Sequence, residues 1–412
     1  MDHLLYLVHR IPWPPNKGDK IRSYHILRYL VRHYRVHLGT FIDDPADRTY
    51  IGELEALCAS VCARPLPGRR ARLRALRGFA TGEALTLPWY RDPALQHWVD
   101  RTLETHPVER ALIFSSAMGQ YVDHRPGLTR VTDFVDVDSD KWTQYAQTRR
   151  WPMNAVYRRE GRKLLDYERR LARSSDASLF VSPAEAESFR KLAPERAGRV
   201  HAMNNGVDTD FFAPARIPPQ IPYAPDARAL VFSGAMDYWP NVDAAIWFAR
   251  SVFPRIRETE PTAEFHIVGS RPTPAVQELG ALPGVEVTGF VEDMRPWIGH
   301  AELAVAPLRI ARGIQNKVLE AMALARTVVA SPQALEGLTA EREHEVIEAD
   351  TDPETFAAAV LRALHDTGGH RGACARARVE ADYNWGRNLA MLDRHLNAST
   401  HPSVVTSGTE TA

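Results

Sequence analysis

The sequence predicts an α/β protein built from two Rossmann-like domains. Three observations carry this. Short apolar runs alternate with longer amphipathic stretches, and apolar strands between helices imply parallel sheets covered on both faces. The alternation restarts after a proline-rich stretch, Ile217–Pro225 (IPPQIPYAP). The length of 412 residues suits two domains of ordinary size.

In chain order, Leu4–Val8 reads as a buried strand and Asp19–His33 as a helix, with Ile21, Tyr24, Leu27, Leu30 and Val31 on one face. Val36–Phe41 is a strand and Arg48–Ala59 a helix, and Cys58 and Cys62, four residues apart, are expected to share a helix. Strands follow at Ala111–Phe114, Val131–Val135 and Ala177–Val181, with helix over Ser139–Arg173 interrupted at Pro152. The second set of strands is Ala229–Phe232, Glu264–Val268, Val285–Thr288, Leu303–Ala306 and Thr327–Ala330. Helices are expected at 241–257, 317–324, 353–365 and 371–381, and a last one carries Trp385, Leu389, Leu392 and Leu396 at helical spacing. The expected divisions are domain 1–204, linker 205–228, domain 229–382, a crossover helix 383–397 and a disordered tail 398–412.

Composition narrows the function classes. Basic and acidic residues number 51 each, which gives no global electrostatic argument for nucleic acid. Three cysteines do not make a disulfide framework and fit a reducing cytosol. No apolar run reaches the roughly 18 residues of a membrane span, and Met1–Val8 reads as a first strand rather than a signal peptide.

In such sheets ligands sit outside the carboxyl ends of the strands, so the loops there are informative. The first runs from Pro12 to Lys20, with Gly18 just before a helix, where unpaired backbone N–H groups favour anions. Lys17, Lys20 and Arg22 add charge in a chain with only six lysines. Neither the dinucleotide fingerprint nor the P-loop is present. Asp133, Asp136 and Asp138 alternate at the end of another strand, suited to a general base, to sugar hydroxyls or to a cation, or to helix capping and pairing with Lys141. Asn205-Gly206 favours a turn with positive φ. Gly234 follows a strand and permits close backbone approach to a ligand.

The most informative stretch runs from Ala306 to Ala323. A strand ends at Ala306, and a loop with Arg309, Arg312, Gly313, Ile314 and Gln315 leads into a helix carrying Lys317 and Glu320. Loop amides, helix N-terminus and basic side chains together suit a diphosphate, and Glu320 suits the diol of a ribose. A Lys317–Glu320 ion pair on a solvent face is the plain alternative, opposed by the small and apolar Ala321-Met322-Ala323.

At this point the sequence resembles the GT-B glycosyltransferases of family 4. The resemblance rests on the Gly18 loop, Val181-Ser182-Pro183-x-Glu185, Asn205-Gly206-Val207-Asp208 with Phe212, and Phe232-Ser233-Gly234. It continues through His266-Ile267-Val268-Gly269, Val287-Thr288-Gly289-Phe290-Val291 and the Lys317 to Ala323 helix followed by Val328-Val329-Ala330. Leu7 to Arg22 and Asp133 to Ser139 further resemble a bacterial subgroup, the sugar transferases associated with PEP-CTERM/exosortase systems.

The resemblance implies two Rossmann-like domains facing across a cleft, with a C-terminal helix crossing back to the first. It implies retaining transfer of a sugar from a nucleotide diphosphate donor to a glycan or polyprenyl-diphosphate-linked acceptor, without a bound metal or other cofactor, in exopolysaccharide or cell-envelope synthesis. The first domain takes the acceptor side and the second the nucleotide sugar. By matching positions Glu320 holds the donor ribose and Gly18 approaches donor phosphates or sugar. Asp136, with Asp133 beside it, falls near the family's active-site acid. One departure is clear: the family's E-x7-E pattern keeps its second glutamate as Glu320, but its first position is Arg312.

Two basic stretches bear on the acceptor. Arg64, Arg69, Arg70, Arg72, Arg74 and Arg77 occur with no acid between Glu55 and Glu83, interleaved with Leu66, Leu73, Leu76 and Phe79. Arg149 to Lys163 form the second. Such segments suit an anionic membrane surface, on the inner face of the cytoplasmic membrane, or a lipid-linked diphosphate; a solvated arginine face is the alternative. A sugar-nucleotide epimerase and a non-catalytic nucleotide-sugar-binding scaffold remain competing readings.

Overall fold

A computed structural model describes residues 1–15, 18–311, 313–366 and 369–397. Lys17, Arg312 and the segment 398–412 lie outside the described residues. The chain forms two compact units, one made of Met1–Met203 with the stretch from Leu389, the other of Asn204–Asn388.

The first unit is built on seven parallel strands: β1 (His3–Val8), β2 (Arg35–Ile42), β3 (Ser60–Pro65), β4 (Val108–Phe114), β5 (Thr129–Val135), β6 (Ala177–Phe180) and β7 (Val200–Ala202). Their order is β3-β2-β1-β4-β5-β6-β7. The sheet is apolar because helices cover it, and Leu5, Leu7, Ala111, Ile113, Phe134 and Phe180 join one core. The helix Gly18–His33 crosses from β1 to β2. The long helix over 139–173 is two, Asp138–Thr148 and Met153–Ser174, broken around Pro152.

The second unit repeats the plan with β8 (Arg228–Ser233), β9 (Ala263–Val268), β10 (Val285–Gly289), β11 (Leu303–Ala306), β12 (Thr327–Ala330) and β13 (Ile347–Glu348). Its order is β10-β9-β8-β11-β12-β13, again parallel. Phe232, Phe248, Phe253, Phe265 and Phe356 pack in its core. Both sheets therefore reverse strand order beside their first strand, which places the ligand-facing loops after β1 and β4, and after β8 and β11.

Several expectations need correction. Cys62 lies on strand β3 and Cys58 just past the end of the helix Ile51–Leu57, so the two thiols do not share a helix. Gly206 keeps an ordinary φ; glycine is needed there because a Cβ would stand 2.8 Å from the Trp385 ring and backbone nitrogen. The single crossover helix is two short ones, Trp385–Leu389 and Met391–Leu396. Trp385 stays with the second unit against Gly206, whereas Leu392 and Leu396 are buried in the first. There Tyr29 Oη donates to Asp393 at 2.6 Å and Arg110 Nε to the Leu396 carbonyl at 2.9 Å.

Candidate functional site

In the second unit two strand ends meet at glycines. Gly234 follows β8 with φ 151° and Gly269 follows β9 with φ 154°. A Cβ on Gly269 would stand 1.7 Å from the Gly234 carbonyl oxygen, so no other residue fits. The helix Trp239–Trp247 starts immediately after this crossing, with Pro240 in its first turn.

Asn241, also in that first turn, ties the loop to the helix. Its Nδ2 donates to the Ala235 carbonyl at 2.9 Å. Its Oδ1 accepts from Lys317 Nζ at 2.6 Å. The Lys317 ammonium lies 4.3 Å from the centroid of the Phe232 ring, and a Cβ on Gly234 would approach it to 3.1 Å. The Lys317 ammonium thus rests against the glycine at the strand end.

Lys317 stands there because the loop after β11 ends in a turn that starts the helix Asn316–Ala323. Gly313 takes a left-handed φ of 63°. Ile314 is buried in the core, so it offers only backbone to a ligand. Gln315 turns its Nε2 back to the Gly313 carbonyl at 3.1 Å. One turn on from Lys317, the Glu320 side chain makes no hydrogen bond or ion pair with another described residue. Burial pushes its carboxyl up to about 7, with Lys317 pulling the other way. Burial likewise pushes the Lys317 ammonium down to about 7. Burial thus works against the charged form of both groups, the kind of perturbation that clusters at functional sites. Arg309 is already engaged: its Nε and Nη2 bond both oxygens of Asp243, Nε at 2.9 Å.

The first unit sorts its charged candidates differently. Lys20 is buried and paired with Asp47 at 2.5 Å. Arg22 is buried and bonds both oxygens of Asp133, at 2.8 and 3.1 Å, and the Met203 carbonyl at 2.8 Å. These cations therefore serve the interior rather than the loop. Asp133 is fully buried in that pair and out of reach of a substrate, contrary to its expected place among the catalytic acids. An ion so deep is tolerated only with its partner and further hydrogen bonds. Burial raises the Asp133 carboxyl, against the pull of Arg22.

Asp136 faces the other way. Val135 adopts φ 69°, a left-handed value that a β-branched residue rarely takes. That kink turns the chain between the buried Asp133 and the part-exposed Asp136, which accepts from Lys141 at 2.8 Å. Asp138 shares the same ammonium at 3.1 Å. Ser115, after β4, is likewise left-handed at φ 75°. Such strain concentrates at functional sites.

Beside these strand ends lies a cavity of about 530 Å³ lined by His9, Trp89, Tyr90, Asp138, Trp142 and Tyr157 among others. Sequence reasoning named Asp138 but not the aromatic wall, because Trp89 and Trp142 come from helices far apart in the chain. It also passed over Asn241 and Gly269 as site residues; a Pro-Asn pair opening a helix and a Val-Gly strand end were the available signals.

Residues 227–366 match the model of the family described as glycosyl transferases group 1. Among solved structures, sucrose-phosphate synthase from Thermosynechococcus elongatus superposes with a TM-score of 0.69 at 17% identity, covering 96% of this chain and 98% of that one. A glycosyltransferase from Rickettsia africae gives 0.67 at 12%, covering 97% and 99%. Anabaena HepE, solved in complex with UDP, gives 0.66 at 15%, covering 96% and 100%. A comparison with curated proteins gives no significant match. Likeness at these identities speaks for the fold, and the conclusion is that the chain has the GT-B fold, with residues 227–366 similar to the glycosyl transferases group 1 family.

Proposed function

We propose that this protein is a retaining glycosyltransferase of the family 4 type that moves a sugar from a nucleotide diphosphate to a glycan or polyprenyl-diphosphate-linked acceptor. The observation that carries this is the Lys317 ammonium resting on Gly234, with the unpaired Glu320 one turn away, inside the stretch similar to the glycosyl transferases group 1 family. Negative charge grows on the departing diphosphate as the glycosidic bond breaks. Lys317 and the amides of Gly313, Ile314 and Gln315 would stabilise it there more than in the ground state. Glu320 would accept from the ribose hydroxyls. Arg309 would join only by leaving Asp243, and Arg312 replaces the family's first glutamate. By family position Gly18 approaches the donor, with the charge of Lys17 beside it in the sequence, and Asp136 is the acid on the acceptor side. The reading requires no resident metal or cofactor.

The test uses thermal melts with UDP, GDP, ADP, TDP and CDP. UDP comes first, because HepE holds UDP and, in a second structure, UDP with glucose. A nucleotide at a hundred times its dissociation constant stabilises by about 2.7 kcal/mol. One nucleotide is expected to shift the wild type and not Glu320→Ala; equal shifts in both would remove Glu320 from the site. The anomeric configuration of the product, read by NMR, decides retention.

The acceptor side is read in the first unit. Leu73, Leu76, Phe79, Trp151 and Met153 are exposed large apolar side chains on and after the arginine-rich helices. Arg69, Arg70, Arg72 and Arg77 are exposed beside them and form no ion pair with a described residue. Apolar anchors ringed by free arginines suit an anionic lipid surface, and the neighbouring aromatic cavity suits an apolar part of the acceptor. This supports a peripheral role at the cytoplasmic membrane; a part in exopolysaccharide or envelope synthesis of the PEP-CTERM/exosortase-associated kind rests on the sequence resemblance. Among the described residues no helix is long and apolar enough to cross a membrane. Binding to phosphatidylglycerol vesicles is expected to fall steeply between 50 and 500 mM salt, ~10-fold or more, and to weaken in Arg69→Glu/Arg72→Glu. Salt-independent binding, or none, would refute the surface.

A further inference from the structure

Three histidines meet at the amino-terminal edge of the first sheet. His3 opens β1, His37 is the third residue of β2, and His106 precedes β4. This is the opposite end of the sheet from the loops that follow β1, β4 and β5. Among the described residues they form a group whose ligand-capable nitrogens all lie within 4.8 Å of one another.

The geometry favours convergence. His3 Nδ1 and His37 Nε2 are 2.8 Å apart, closer than any face-to-face ring contact, so these rings meet edge to edge. The three ring centroids stand 5.1, 5.3 and 4.6 Å apart, with interplanar angles of 18°, 15° and 26°. The three rings thus lie nearly parallel in one compact cluster, with centroids at the corners of a near-equilateral triangle. Three imidazole nitrogens bound to one ion at about 2.0–2.1 Å stand about 3.5 Å from each other, a separation that small ring rotations reach here. Ser60 supplies what a ligating histidine needs on its far side: its Oγ lies 2.8 Å from His37 Nδ1 and leaves Nε2 to face the group.

We propose that His3, His37 and His106 form a binding site for a divalent transition ion of the zinc type, which clasps the amino ends of β1, β2 and the approach to β4. Three imidazoles without carboxylate or thiolate suit Zn²⁺ and its neighbours rather than Mg²⁺ or Ca²⁺. His106 is exposed, which gives the ion a path in and leaves a position for water. The clasp stands apart from the transfer chemistry, so it is independent of the donor reading above.

The experiment titrates the chelator-treated full chain with Zn²⁺ against a chromophoric chelator and follows thermal melts. One equivalent is expected to bind and raise the Tm. The chain has 16 histidines, so variants decide the location. His106→Ala, an exposed change that spares the core, and His3→Gln are each expected to weaken the site tenfold or more and to abolish the Tm gain. X-ray absorption of the 1:1 complex should show three imidazole ligands. Absence of saturable binding overturns the proposal, as does binding equally tight in both variants.

Discussion

Lys317→Met is expected to lower turnover about a thousandfold while raising the Tm of the unliganded protein. The first effect follows from removing the cation that rests on Gly234, since one preorganised electrostatic group commonly contributes 10²–10³ in kcat. The second follows from burial. The Lys317 ammonium is pushed down from 10.5 to about 7, so the folded chain binds this proton less tightly than the unfolded chain does. Stability contributed here therefore rises as pH climbs from about 7 towards 10.5, and below that window the buried charge is a cost. Methionine has a similar shape and no charge to desolvate. A bound diphosphate reverses the balance by restoring the proton. The Lys317 contribution to donor affinity should thus be full below about pH 7 and fall above it, with proton uptake on binding detectable by calorimetry in buffers of different ionisation enthalpy. Below neutrality, protonation of Glu320 should weaken ribose binding; the nucleotide's own phosphate titrates there too, and Glu320→Gln separates the two. A Met variant with normal turnover, or with donor binding of unchanged pH dependence, would place the diphosphate elsewhere.

Asp133→Ala should be the most destabilising single change at the strand ends, by about 3–5 kcal/mol, because it leaves the Arg22 guanidinium buried without its carboxylate. At roughly 2–4 °C per kcal/mol for a domain of this size, the Tm should fall by about 10 °C. Turnover per folded molecule, measured below the transition, should stay within tenfold of wild type. A catalytic acid would show the reverse, with an intact Tm and lost turnover. Asp136→Asn is the complementary change: Asp136 is part-exposed, so its Tm should move by less than about 1 kcal/mol equivalent. Large losses of turnover in Asp136→Asn alone would identify it as the acid.

The alternation of Leu4–Val8 with the helix after Gly18, and of Ala229–Phe232 with the helix after Tyr238, already determined two parallel α/β units. Fully buried strands must be apolar along their length, and that pattern is local in sequence. The same holds for the strand–loop–helix from Ala306 to Ala323, where Lys317 and Glu320 lie one turn apart by helical geometry alone. Spacing could not decide which charges are free. Lys20, Arg22 and Asp133 look like loop chemistry in a linear reading, yet Arg22 and Asp133 are 111 residues apart and neutralise each other inside the core. Arg309 and Asp243 are 66 apart and do the same near the surface. Partner choice between distant charges depends on which faces the sheet brings together, and only the tertiary structure carries that information. The same reason hid Asn241 beside Lys317, the aromatic wall around His9, and the meeting of His3, His37 and His106. Each joins residues from separate crossovers, placed in contact by strand order rather than by sequence distance.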